Sequence, residues 1–142
     1  MMRNITKAAL VIGLLALAAC SGMYLEQGNP TWVTLSGSDE VPPVSTMASG
    51  NGNFMVEADG SVSGDIATNG LKSTAAHIHM GAVGENGPVI ITLSKSGDSG
   101  YSAPMGARLT PEQMVAFKQG KLYVNVHSAA HKGGEIRGQL RW

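Results

Sequence analysis

The chain has 142 residues, with 10 basic and 10 acidic side chains, four histidines and one cysteine. A formal net charge of zero and the absence of any basic run exclude the concentrated positive patch that nucleic-acid binding requires. A single thiol cannot form an internal disulfide, so a domain of this size must be held by its apolar core, with or without a bound ion.

At the N-terminus, Arg3 and Lys7 precede an apolar run over residues 8–19 that is short for a membrane span and ends in small residues. That is the form of an export signal. The run Leu17-Ala18-Ala19-Cys20 resembles a bacterial lipobox, in which Cys20 is lipidated and becomes the mature N-terminus. Ser21, rather than an acidic residue, matches sorting to the outer membrane. The expected organisation is a signal peptide over residues 1–19, lipidated Cys20 and a tether over 20–30, and one domain over 31–142. The expected place is the bacterial cell envelope, with a lipid on Cys20 holding the chain to the membrane and the domain in the periplasm or at the cell surface. Cleavage removes Arg3 and Lys7 and leaves 8 basic against 10 acidic residues, a net charge of −2.

A first strand is predicted over 31–36, where Val33 and Leu35 alternate with Trp32 and Thr34. Pro42 and Pro43 then make 37–44 an edge or loop. Residues 53–57 and 61–68 form a hairpin around Asp59-Gly60, a strong turn signal. Residues 74–81 form the next strand, followed by a turn-rich loop over 81–88 and a short apolar strand over 89–93. The polar stretch 94–104 reads as an exposed loop. Thr110-Pro111-Glu112-Gln113 signals a helix start with an N-cap, a first-position proline and a capping box. Leu109 and Met114 are placed to form a hydrophobic staple, and Gly120 ends a helix of about three turns. Strands over 122–127 and 135–142 complete the chain, with Trp142 as a core plug. Seven or so short strands and one short helix in a connection predict an all-β antiparallel sandwich or barrel.

Two of the four histidines, His77 and His79, stand one residue apart in the 74–81 strand. Side chains alternate along a strand, so both imidazoles leave one face about 6.6 Å apart at their Cα atoms while Ile78 turns to the core. In 122–127, Leu122, Val124 and Val126 take the buried face and Tyr123, Asn125 and His127 the other. If the two strands are neighbours, His77, His79 and His127 can surround one ion, with His131 a candidate fourth ligand. Three neutral imidazoles suit copper, with zinc the alternative, better than calcium or magnesium. Met80 and Met105 are the candidate thioether ligands, which would favour copper further. Asn125 could orient an imidazole; Glu135 and Arg137 share a face of the last strand as a supporting carboxylate and its counter-ion. Tyr123 either gates the site or packs across strands.

Nothing supports hydrolysis. Ser128 follows His127, and adjacent residues on a strand face opposite ways; the glycine-rich segments lack the lysine and helix of a phosphate loop. The leading function is an envelope lipoprotein that binds copper for sequestration, delivery or tolerance, with redox activity dependent on an open coordination position. The other is a metal-independent module that recognises an envelope protein partner through exposed loops.

Four motifs in order carry a family resemblance: Leu35-Ser36-Gly37 to Glu40-Val41-Pro42-Pro43-Val44, Ala75-Ala76-His77-Ile78-His79 to Asn86-Gly87-Pro88-Val89, Leu122-Tyr123-Val124-Asn125-Val126-His127-Ser128, and Gly133-Gly134-Glu135-Ile136-Arg137-Gly138-Gln139-Leu140. From about Trp32 to Trp142 the chain resembles the CHRD domain, named after chordin. The resemblance implies a β-rich, immunoglobulin-like or superoxide-dismutase-like fold in an extracytoplasmic protein, without a settled activity. A fainter likeness is to copper,zinc superoxide dismutase, where a His-x-His pair and a distant strand histidine help bind copper, as His77, His79 and His127 would here. This chain departs from that enzyme in lacking a disulfide pair, a bridging histidine and a zinc cluster, so it is not expected to be an ordinary dismutase. It also departs from the CHRD pattern at His131-Lys132, where asparagine and proline are more usual.

Overall fold

The computed structural model describes residues 28–142, so the export signal, Cys20 and most of the tether lie outside the described residues. Nine strands and one helix follow in order: β1 Asn29–Ser36, β2 Ser49–Val56, β3 Val62–Asn69, β4 Ser73–Met80, β5 Val89–Thr92, β6 Ser94–Lys95, β7 Gly100–Ser102, α1 Pro111–Lys118, β8 Leu122–Ser128 and β9 Ile136–Leu140. The nine strands all belong to one antiparallel sheet in the order β5-β4-β8-β9-β1-β2-β3-β7-β6. The two edge strands are consecutive in the chain, separated only by Leu93, whose N–H donates to the Ala76 carbonyl of β4 while Ser94 and Lys95 pair with β7. One run of backbone thus meets both ends of the sheet, and the sheet is a nearly closed barrel. Closure leaves few edge N–H and C=O groups without a partner.

Alternation decides what fills the barrel. Val33 and Leu35 of β1, Phe54 and Val56 of β2, Ile78 of β4 and Val124 and Val126 of β8 are all buried in one cluster. Helix α1 adds Ala116 and Phe117 to it. The helix starts as its sequence demands: Thr110 accepts from the Gln113 N–H, and the Gln113 side chain accepts from the Thr110 N–H. It runs for 8 residues, about two turns rather than three, before Gly120 takes a positive φ of 67°.

Three further expectations are corrected. Strand β2 begins at Ser49 rather than residue 53, because the Ser/Gly-rich stretch hides its pattern; at Gly52 a Cβ would stand 2.1 Å from the Asp65 carbonyl oxygen of β3, so the close approach of the strands requires glycine. The stretch 94–104 is not simply an exposed loop. It contains β6 and β7, and Tyr101 is buried, because strands of two and three residues are too short to show alternation. Trp142 is not a core plug: it is 56% exposed, beyond the end of β9, with its ring edge-on to Phe117 at 5.4 Å and Lys118 Nζ 5.0 Å from its centroid.

Candidate metal centre

The outer wall of β4, β8 and β9 carries the polar side chains His77, His79, Asn125, His127, Arg137 and Gln139, and two loops fold over it. Strand β8 pairs with β4 so that His77 faces Asn125 and His79 faces Tyr123, with His127 one pair further along opposite Ala75. The neighbour relation that alternation alone leaves open is therefore met. The ligand atoms of His77, His79 and His127 all lie within 4.8 Å of one another, and these three form the grouping suited to a metal among the described residues.

The ring contacts fix which nitrogens are free. His79 Nδ1 lies 2.9 Å from the Gly87 carbonyl oxygen and His127 Nδ1 2.9 Å from that of Lys132. A carbonyl can only accept, so each Nδ1 carries the proton and each Nε2 keeps its lone pair. This is the arrangement that orients a metal-binding histidine. His77 Nδ1–H therefore donates to His127 Nε2 across 2.9 Å, and an ion held by both nitrogens would move that proton to His77 Nε2. Two nitrogens each about 2.0 Å from a tetrahedral ion would be roughly 3.3 Å apart, so a small outward shift would admit one. His79 Nε2 is buried and has no hydrogen-bond partner, which is what a ligand atom awaiting its ion would show.

Burial lowers the pKa of both His77 and His79. At His77 the neighbouring histidines lower it further; at His79 the Gly87 carbonyl and Asn125 oppose the change, while His127 and Arg137 add to it. The neutral, ligating form is therefore favoured.

The loop over residues 81–88 is pinned to this wall. Arg137, 1% exposed, donates to the carbonyls of Ala82 at 2.9 Å and Glu85 at 2.8 Å. Gln139 donates to that of Gly81, and the Gly87 N–H donates to the Tyr123 hydroxyl. A Cβ at Gly87 would lie 1.7 Å from the Met80 carbonyl oxygen, so the glycine is what lets the loop turn back to present its carbonyl to His79. Tyr123 is buried and packs across the strands. Its ring stacks on His79 at 4.8 Å and 5°, and its other neighbour is the Arg137 guanidinium, 3.4 Å from the ring centroid.

Of the remaining candidates, Asn125 lies beside the imidazoles, and His131 and Glu135 are outside their grouping. His131 lies in the turn after β8, its carbonyl accepting from Ser128 and Gly134, and it is outside the histidine grouping. Met105 is fully exposed in a loop, and Met80 is half-buried and packed against the core. Regular alternation sends Met80 inward, as the sequence suggests in the absence of a redirecting turn. Glu135 accepts from the Thr46 hydroxyl at 2.8 Å, and its carboxyl is held below the usual range by Ser128 first, then Thr46 and His131. It makes no ion pair with Arg137 among the described residues, because Arg137 is engaged with the loop carbonyls. Asn125 is buried and lies beside both His79 and Glu40.

Glu40 is the residue that the sequence reading misses as a site group. It is 5% exposed, and burial raises its pKa to about 7 against the opposing effects of Arg137, the Val41 N–H and Asn125. Its signals in the sequence are an acidic side chain in a segment without periodicity and its place in the Glu40-Val41-Pro42-Pro43-Val44 motif, neither of which assigns it a role. A cleft of about 620 Å³ lies over the same wall, lined among others by Trp32, Asp39, Glu40, Val83, Arg137 and Arg141; none of the three histidines lines it.

Neither the curated proteins nor the solved structures contain a match to this chain. The family model of the CHRD domain matches residues 32–140, which takes in every strand from β2 to β9 and all but the start of β1. With its histidine-bearing barrel wall inside that span, the chain belongs to the CHRD domain family.

Proposed function

We propose that this protein is a lipid-anchored envelope protein that binds copper through His77, His79 and His127, for sequestration, delivery or tolerance of the metal. The observation that carries the reading is the convergence of three ligand atoms within 4.8 Å, with two of the imidazoles tied through Nδ1 to backbone carbonyls. An all-imidazole set binds copper(II) ahead of zinc in the usual order of divalent-metal affinities. With Met80 packed on the core and Met105 exposed in its loop, the support for copper comes from the nitrogens alone. Anchoring rests on Leu17-Ala18-Ala19-Cys20, with the outer membrane as destination because of Ser21.

Titration of the purified protein with copper(II), copper(I) and zinc(II), followed by calorimetry and electron paramagnetic resonance, tests the reading. One-to-one copper binding with nitrogen hyperfine structure, weakened by more than about a hundredfold in His79→Ala, is expected, since even supporting groups are worth 10–100-fold. Binding no tighter than that of a triple His→Ala variant would discard the metal.

One observation favours a second reading, recognition of an envelope protein. The cleft carries Trp32 at 78% exposure and Val83 at 69%, large apolar groups of the kind that anchor interfaces. Under that reading Trp32→Ala abolishes partner capture and the histidine variants leave it intact.

A further inference from the structure

The barrel wall that holds the imidazoles also holds a buried cation. Arg137 lies over the ring of Tyr123, and His79 stacks on the same ring, so a permanent positive charge sits close to a ligand imidazole. That charge already disfavours a proton on His79. It disfavours a metal cation for the same reason, and a doubly charged ion twice as much as a singly charged one.

Glu40 is placed to offset it. Its Oε1 is buried with no hydrogen-bond partner, as is Asn125 Oδ1 beside it. No ion pair joins Glu40 to Arg137 within 4.0 Å among the described residues, although the Arg137 charge pulls against the burial of the Glu40 carboxyl. A buried carboxylate left this way is costly by itself, and so needs an explanation in the native structure. The surrounding backbone holds it there. The N–H groups of Glu40 and Val44 both donate to the Gly37 carbonyl, and Asn86 donates to the Val41 carbonyl and ties this loop to the one over 81–88. Gly134, at φ +131°, has a Cβ position 2.4 Å from Glu40 Oε1 and 2.6 Å from Asn125 Nδ2, so only a glycine leaves room for the pair. The other buried carboxylate, Glu135, is turned to Thr46 and Ser128.

We infer that Glu40 is the counter-charge of the metal centre, acting across Asn125 without touching the ion and setting the preference for a divalent over a monovalent metal. This rests on the three-histidine reading. Coulomb energy scales with the charge of the ion, so loss of the carboxylate weakens divalent binding by twice the logarithm that it weakens monovalent binding. A purely structural role for Glu40 weakens both alike.

The test compares wild type, Glu40→Gln and Glu40→Met in competition titrations with copper(II), zinc(II) and copper(I) at pH 8 and low salt. Glu40→Met guards against a variant that fails to fold, because replacing a buried charge by an apolar group of similar size is often neutral or stabilising. In both variants the expected loss is on the order of tenfold for copper(II) and zinc(II) and about threefold for copper(I). For copper this raises the reduction potential by roughly 30 mV, at 59 mV per tenfold for one electron. Equal losses for both charge states, or none, would overturn the counter-charge. Failure of the wild type to bind any of the three metals removes the histidine site itself and this inference with it.

Discussion

Replacing Glu40 by Gln should change how the stability of the metal-free protein depends on pH. The Glu40 carboxyl rises from 4.5 when solvated to about 7 in the fold, burial outweighing Arg137. The folded state therefore holds the proton more tightly than the unfolded state. The associated stability is fully present below pH 4.5 and is lost as pH rises through 7. A displacement of about 2.5 pH units corresponds to roughly 3 kcal/mol at full strength. Glu40 lines the cleft, and screening by solvent in it reduces the figure to about 1–2 kcal/mol. Glutamine does not titrate, and every other ionisable group is common to both proteins, so the difference between them isolates this carboxyl. Urea unfolding in chelator, at intervals from pH 4.5 to 8.5, should show the variant gaining about 1–2 kcal/mol on the wild type across that range, most of it between pH 5 and 8. Parallel stability curves would mean that Glu40 is solvated or paired, and would remove the premise of the counter-charge.

Three further outcomes follow from the packing. Tyr101 is 2% exposed and its hydroxyl has no hydrogen-bond partner, so Tyr101→Phe should stabilise the barrel by about 1 kcal/mol in thermal or urea unfolding; a loss of that size would mean the hydroxyl is bonded. Gly134→Ala combines a positive φ of 131° with a collision against Glu40 and Asn125 and should cost about 1–3 kcal/mol and weaken metal binding, whereas Gly133→Ala, with open space at its Cβ, should do neither. Thr110→Ala removes the acceptor of the Gln113 N–H in the capping box and should cost about 1 kcal/mol, read as a lower urea midpoint with an unchanged slope.

Much of this architecture is legible in the chain because strand and helix signals are local. A period of two puts Ile78 inside and His77 and His79 outside whatever the strand's neighbours are, and the same rule sorts Val124 and Val126 from Tyr123, Asn125 and His127. The capping box at Thr110 depends on four consecutive residues and forms as their types require. Tertiary structure decided what local rules do not contain. The antiparallel pairing of β4 with β8 brought His127 to His77 across 50 positions of sequence, and the run through Leu93 closed the barrel by backbone bonds that leave no mark on side-chain patterning. Glu40 shows the limit most clearly. In a proline-containing loop its sequence says only that it is acidic, and it becomes a buried, raised-pKa carboxyl because the loop is folded over the polar wall by Gly37, Asn86 and the space left at Gly134. Burial and charge environment are properties of what surrounds a group, and those surroundings are assembled from distant parts of the chain.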